Sequence, residues 1–162
     1  MSYDGTTVVG VDDADDLDRA PSGSPDFDEV VAQVRARCLA LPGTYEEPAW
    51  VGVRWRIRTR TFAHVLDVIG GHPPSYARAA GTDGPVIVLM FRSDGDELEA
   101  LRHSGPPFFT TPWRRDEIGM RLTADADWDE VAELITESFR LLAPKKLGGA
   151  DTGDGDLTQP QL

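Results

Sequence analysis

A single cysteine in the whole chain, Cys38, excludes an internal disulfide and suits a reducing cytoplasm. Its helical spacing with Val34 and Leu41 makes it a packed core thiol rather than a reactive one. Long apolar runs are also missing. The longest, Val86 to Phe91, has the length of a strand and is far too short to span a bilayer, so no membrane association is expected. The first 20 residues are acidic, without a cationic start or an apolar core, and do not read as a secretion signal. Histidine is sparse. His64, His72 and His103 have no ligand spacing, and no Walker A loop, GxGxxG fingerprint, HExxH helix, CxxC pair or GxSxG elbow is present. These absences argue against an enzyme and against any metal or cofactor. The adjacent carboxylates Glu46 and Glu47 either frame a strand or pair with its arginines, since acid–base chemistry would need a cleft around them.

Positive charge is scarce: 16 Lys and Arg face 28 Asp and Glu, for a net charge of −12. The deficit is uneven. Residues 1–26 carry −6 and residues 148–162 carry −3, which leaves only −3 on residues 27–147. Clustered like charges with few aromatics describe self-repelling, disordered segments. Residues 1–25 and 148–162 are therefore expected to be acidic tails around one domain at 26–147. Asp12-Asp13-Ala14-Asp15-Asp16 lacks the glycine and distal glutamate of an EF-hand loop and reads as solvated tail, as does 151–156.

What is present is organised around Val51 to Thr61, where Arg54, Arg56, Arg58 and Arg60 occupy every second position. Period two is the mark of a strand with one buried face. Val53, Trp55 and Ile57 then point inward, and Arg54, Arg56 and Arg58 project together from the other side, with Arg60 continuing the row or lying on a turn. Upstream, Asp26 and Glu29 have capping-box spacing, and Phe27, Val30, Val31, Val34, Cys38 and Leu41 line one face of a helix stopped by Pro42-Gly43. Thr44 to Ala49 reads as a loop. Phe62 to Ile69 is a second strand with Phe62, His64, Leu66 and Val68 on one apolar face, His64 being a hydrogen-bonded margin histidine; His72 and His103 face solvent. Gly70 to Gly84, which carries Tyr76, is a connector.

Val86 to Phe91 is a central strand covered on both faces. Asp94 and Glu97 cap a short helix bearing Leu98 and Leu101. Phe108, Phe109 and Trp113 then lie on a proline-braced loop ending at Arg114 and Arg115. Glu117 to Leu122 alternates as a strand with Ile118, Met120 and Leu122 inward. Asp127 and Glu130 cap a final helix striped by Trp128, Val131, Leu134, Ile135, Phe139 and Leu142, with Lys145 and Lys146 after its end. This order predicts a two-layer α+β domain with a mainly antiparallel sheet packed by helices.

Several segments carry a resemblance: Cys38-Leu-Ala-Leu-Pro-Gly43 followed by Glu46, the strand leading to Phe62-Ala63, Val86 to Leu101, and Trp128 through Ser138-Phe139-Arg140-Leu141-Leu142 to Lys145-Lys146-Leu147. In these the chain resembles the MmcQ/YjbR family, small bacterial proteins with a frataxin-like α+β fold commonly described as DNA-binding. It departs from the usual family pattern in lacking the glycine of a Gly-Lys hairpin tip, which the resemblance would put at Thr59-Arg60, and in having Met90 near a lysine often found in the central strand.

The resemblance implies DNA binding. The residues offer a matching surface in Arg54, Arg56, Arg58 and Arg60, joined by Arg114, Arg115, Lys145 and Lys146, with Trp113 or Trp50 for base stacking. Arginines at i and i+2 lie roughly 6.5–7 Å apart, near the distance between successive phosphates on one strand. The bland alternative is that they solvate an exposed strand face and pair with Glu46, Glu47 or Glu117. A further alternative is a protein-interaction module in which the Phe108–Trp113 loop docks a protein partner.

Overall fold

The computed structural model describes residues 25–144. Residues 1–24 and 145–162, which hold nearly all of the expected tails together with Lys145 and Lys146, lie outside the described residues.

Helix α1 (Phe27–Leu39) begins where its capping residue stands: the Asp26 carboxylate accepts the Glu29 N–H at 3.1 Å. Its buried face is Val30, Val31, Val34 and Cys38. The chain continues through β1 (Thr44–Pro48), β2 (Val53–Ile57), β3 (Arg60–Val68), α2 (Pro74–Ala80), β4 (Val86–Arg92), α3 (Gly95–Arg102), β5 (Phe108–Thr111), β6 (Arg114–Leu122) and α4 (Trp128–Leu142). Asp127 caps α4 by accepting the N–H groups of Asp129 and Glu130. Asp94 stands at the start of α3 without a side-chain cap bond.

The strands form one sheet in the order β1-β2-β3-β4-β6-β5, antiparallel at every pairing. The apolar run of β4 lies inside it, between β3 and β6, and is buried on both sides. Helices α1 and α4 pack on one face, against Trp55, Ile57, Val65, Leu89, Phe91 and Ile118, and Leu98 of α3 joins the same core. On the opposite face Leu66, Val68, Val88 and Met90 lie beneath Ala77 and Ala80 of α2.

Three elements depart from the reading of the sequence. Thr44–Pro48 is an edge strand rather than a loop; pairing only with β2, it has no need of alternating apolar residues. The connector holds α2, which begins with Pro74 in its first turn and stops at Gly81 in the left-handed conformation (φ 75°). Phe108–Thr111 is the other edge strand, a place where flanking prolines withhold no ladder bond from a central neighbour.

Phe62 also lies on the face opposite to the one its spacing with Leu66 predicts. Trp55 pairs with Ala63 but Arg56 pairs with Thr61, so Phe62 is an extra residue, a β-bulge. It joins the core beneath the helices and meets Phe139 edge-on at 5.6 Å. The bulge disturbs the ladder to β4 as well, and Ser138 of α4 repairs it. The buried hydroxyl donates to the Phe62 carbonyl at 2.7 Å and accepts the Arg92 N–H at 2.8 Å.

Ser138→Ala would leave two buried backbone groups without partners. The expected loss is about 1–3 kcal/mol, read as a lower urea midpoint with unchanged m. A midpoint equal to that of the parent would show that the bulge does not depend on this hydroxyl.

Candidate nucleic-acid interface

Helix α2 covers part of the second face, over Leu66, Val68, Val88 and Met90, and reaches β5 and, through Tyr76, His64 and Trp113. Among the described residues the rest of that face carries no helix and bears Arg54, Arg56 and Arg92. Antiparallel pairing brings the β2–β3 turn at Arg58-Thr59, the first residue of β3 (Arg60), the last of β4 (Arg92) and the first two of β6 (Arg114 and Arg115) to one end of the sheet.

Arg54 and Arg56 do share a face, as their alternation predicts, but both are engaged. Glu47 stands across from Arg54 on β1 and takes both guanidinium groups on one oxygen: Arg54 Nε donates at 2.7 Å and Arg56 Nη1 at 3.1 Å, with Arg54 Nη2 also directed at it. The hydrogen bond from Arg54 is the main reason the Glu47 carboxyl lies below the usual carboxylate range. Arg56 donates in addition to the Thr59 carbonyl. Glu46, one residue earlier, points to the helix side, where it accepts a two-pronged bond from Arg35 (2.8 and 3.0 Å) and the Trp55 Nε1–H at 2.9 Å. Strand alternation thus sends the two carboxylates to opposite faces, and they do not form an acid–base pair.

Arg58 leaves the strand row. It occupies the turn with φ 55°, and its carbonyl accepts the Tyr45 hydroxyl at 2.5 Å. The hairpin tip is therefore Arg58-Thr59 rather than Thr59-Arg60. Arg58, Arg60 and Arg114 are exposed, and among the described residues none of them has an ion-pair partner. Arg115 binds Glu99 of α3 at 2.8 Å. Trp113, 44% exposed at the β5–β6 turn, donates from Nε1 to Glu117 at 2.9 Å and meets Tyr76 edge-on at 5.1 Å. Trp50 is fully exposed but belongs to the β1–β2 connection, at the sheet end opposite the arginines.

Burial dominates the titrating groups behind this surface. It pushes the Glu117 carboxyl up, and the Trp113 hydrogen bond and the charges of Arg114 and Arg92 offset it only in part. Burial likewise holds His64 below its ordinary value, so the ring is neutral and donates from Nε2 to the Val51 carbonyl at 2.6 Å. Cys38 is buried and its thiol is pushed far up, which fits a packed core residue. His72 and His103 are exposed. Among the described residues no three His, Cys, Asp or Glu side chains cluster as metal ligands, and no helix is long and apolar enough to cross a membrane.

The YjbR family model matches residues 39–141, from the last residue of α1 to the penultimate residue of α4, and so contains the whole sheet. The chain belongs to the YjbR family. A structural-genomics protein from Pseudomonas syringae has a similar fold, with a TM-score of 0.52 at 16% identity over 72% of this chain and 98% of that one. That likeness concerns the fold alone. No curated protein matches.

Two residues of this YjbR chain's surface escaped the reading of the sequence. Arg92 follows an apolar run and belongs to no charge pattern; only its parity with Met90 places it on the open face, across from Glu117. Tyr76 lay in a segment without periodicity. Their neighbour Glu117 provides a test. Glu117→Gln keeps an acceptor for Trp113 and removes a group whose folded pKa is raised. For such an acid the folded state loses stability as pH rises from the unfolded value, about 4.3, through the folded one. The variant should exceed the parent in thermal midpoint at pH 7, with the gap closing as pH falls to about 4. A variant no more stable at pH 7 would show that Arg92 and Arg114 hold the ionised carboxylate at no net cost.

Proposed function

We propose that this YjbR-family protein is a cytoplasmic, non-catalytic DNA-binding protein that contacts phosphates through the arginine-bearing end of its sheet. The observation that carries the reading is the convergence of Arg58, Arg60 and Arg114 at that end, from turns and strands far apart in sequence, exposed and without ion-pair partners among the described residues. Arginines in that state can exchange solvent counterions for phosphates, the main source of affinity for a polyanion. Arg54 and Arg56, held by Glu47, stiffen the hairpin that presents Arg58 and Arg60 rather than serving as the first contacts. Trp113 stands beside Arg114 with part of its ring open, a surface on which a base can stack.

The protein-interaction reading is weaker, because Phe108 packs on the helix-side core and Phe109 on the other core. A Cβ on Gly119 would come within 2.2 Å of the Phe109 ring. Only Trp113 of that segment's aromatic residues is exposed.

The test is fluorescence anisotropy of labelled single- and double-stranded DNA with the full-length protein across several salt concentrations. Binding that weakens with salt is expected. Arg58→Ala/Arg60→Ala/Arg114→Ala should lower the slope of log K against log salt by about 2–3 on duplex DNA, close to one unit per lost contact. Arg54→Ala should lower the unfolding midpoint and leave the salt slope nearly as it was. Absence of binding to either DNA at low salt would overturn the proposal.

A further inference from the structure

We infer that Arg92 anchors a phosphoryl-binding subsite on the open part of the second face, suited to a terminal phosphate rather than to the phosphodiesters inside a strand. This rests on the nucleic-acid reading above for the strand that carries the phosphate, while the residue that anchors the subsite, Arg92, has no part in that reading.

Arg92 stands at the end of β4, across from Glu117, with its side chain only 10% exposed. The rest of the side chain is packed away, while its terminal nitrogens are not sealed from solvent and so remain open to a ligand. Here Nε reaches Asp116 at 3.4 Å, a long contact to a carboxylate that is itself 45% exposed, and among the described residues Arg92's side chain makes no other hydrogen bond. Arg56, on the same face, has a buried Nε without a partner. Arg60 and Arg114 lie close enough for their charges to oppose that of Arg92, so this corner has donors and positive charge in excess of acceptors. Asp116 and Glu117 are the carboxylates beside it. Glu117 already accepts the Trp113 Nε1–H at 2.9 Å.

Recession selects the ligand. An internal phosphodiester is flanked by sugars and is met more readily by exposed Arg58, Arg60 and Arg114. A terminal phosphate projects beyond the strand, carries up to two charges and offers three free oxygens to a two-pronged guanidinium.

The experiment compares a 5′-phosphorylated oligonucleotide with its unphosphorylated twin on the full-length protein, with inorganic phosphate as competitor. The phosphorylated strand is expected to bind about tenfold tighter, and inorganic phosphate to displace it preferentially. Arg92→Gln should bring the ratio of the two affinities towards one. Asp116→Asn, an exposed change that frees Arg92 from its one ion pair, should raise the ratio and keeps the test decisive if Arg92→Gln does not fold by circular dichroism. Equal affinities in the parent, a preference that survives Arg92→Gln, or no gain in Asp116→Asn would overturn the subsite. If neither oligonucleotide binds while inorganic phosphate binds and Arg92→Gln abolishes it, the subsite stands and the nucleic-acid reading fails; if nothing binds, both fail.

Discussion

The hydroxyl of Ser138 joins two backbone groups that one extra residue has parted. Phe62 enters β3 as a bulge, its carbonyl and the Arg92 N–H are left without a ladder bond, and the side chain of α4 bridges them. Side chains alternate along a strand, so adding or removing one residue exchanges the faces of everything on one side of it. With the bulge, Phe62 lies under α4 while Arg56 and Thr61 remain paired at the open face. Without it, either the aromatic ring or the residues leading to Arg60 would change sides. One buried hydrogen-bonded serine therefore couples helix packing to the placement of the arginines.

Electrostatics divides along the same two faces. Glu46 and Glu47 are neighbours in sequence and opposites in space, one tying α1 and Trp55 to the edge of the sheet, the other holding Arg54 and Arg56 across it. Solvent-exposed pairs of this kind stabilise little individually. Their larger effect is positional, because a short edge strand is kept in register by cross-strand partners. A chain of net charge −12 can still offer a cationic surface, because Arg58, Arg60 and Arg114 stand at one end of the sheet without ion-pair partners among the described residues.

The elements that could be recognised from the chain alone were those with a periodic apolar stripe. Helices α1 and α4 announce themselves by residues three and four apart and by Asp26 and Asp127 at their starts; β2 and β6 do so by alternation, and β4 by an unbroken apolar run. Strands β1 and β5 and helix α2 gave no such signal. Edge strands need no alternating stripe, and a seven-residue helix burying two alanines makes no stripe that differs from a loop.

Sequence by itself determined which residues seek a common face, since spacing along a regular backbone is a local property: Arg54 with Arg56, Val53 with Trp55, Val30 with Val34. Only the tertiary structure decided what those faces meet. That Glu47 claims two arginines, that Arg58 turns away with a positive φ, and that Arg92 sits recessed beside Arg60 and Arg114 all follow from strand order and register. Pairings between segments tens of residues apart are set by the packing of the whole core, which no local pattern encodes.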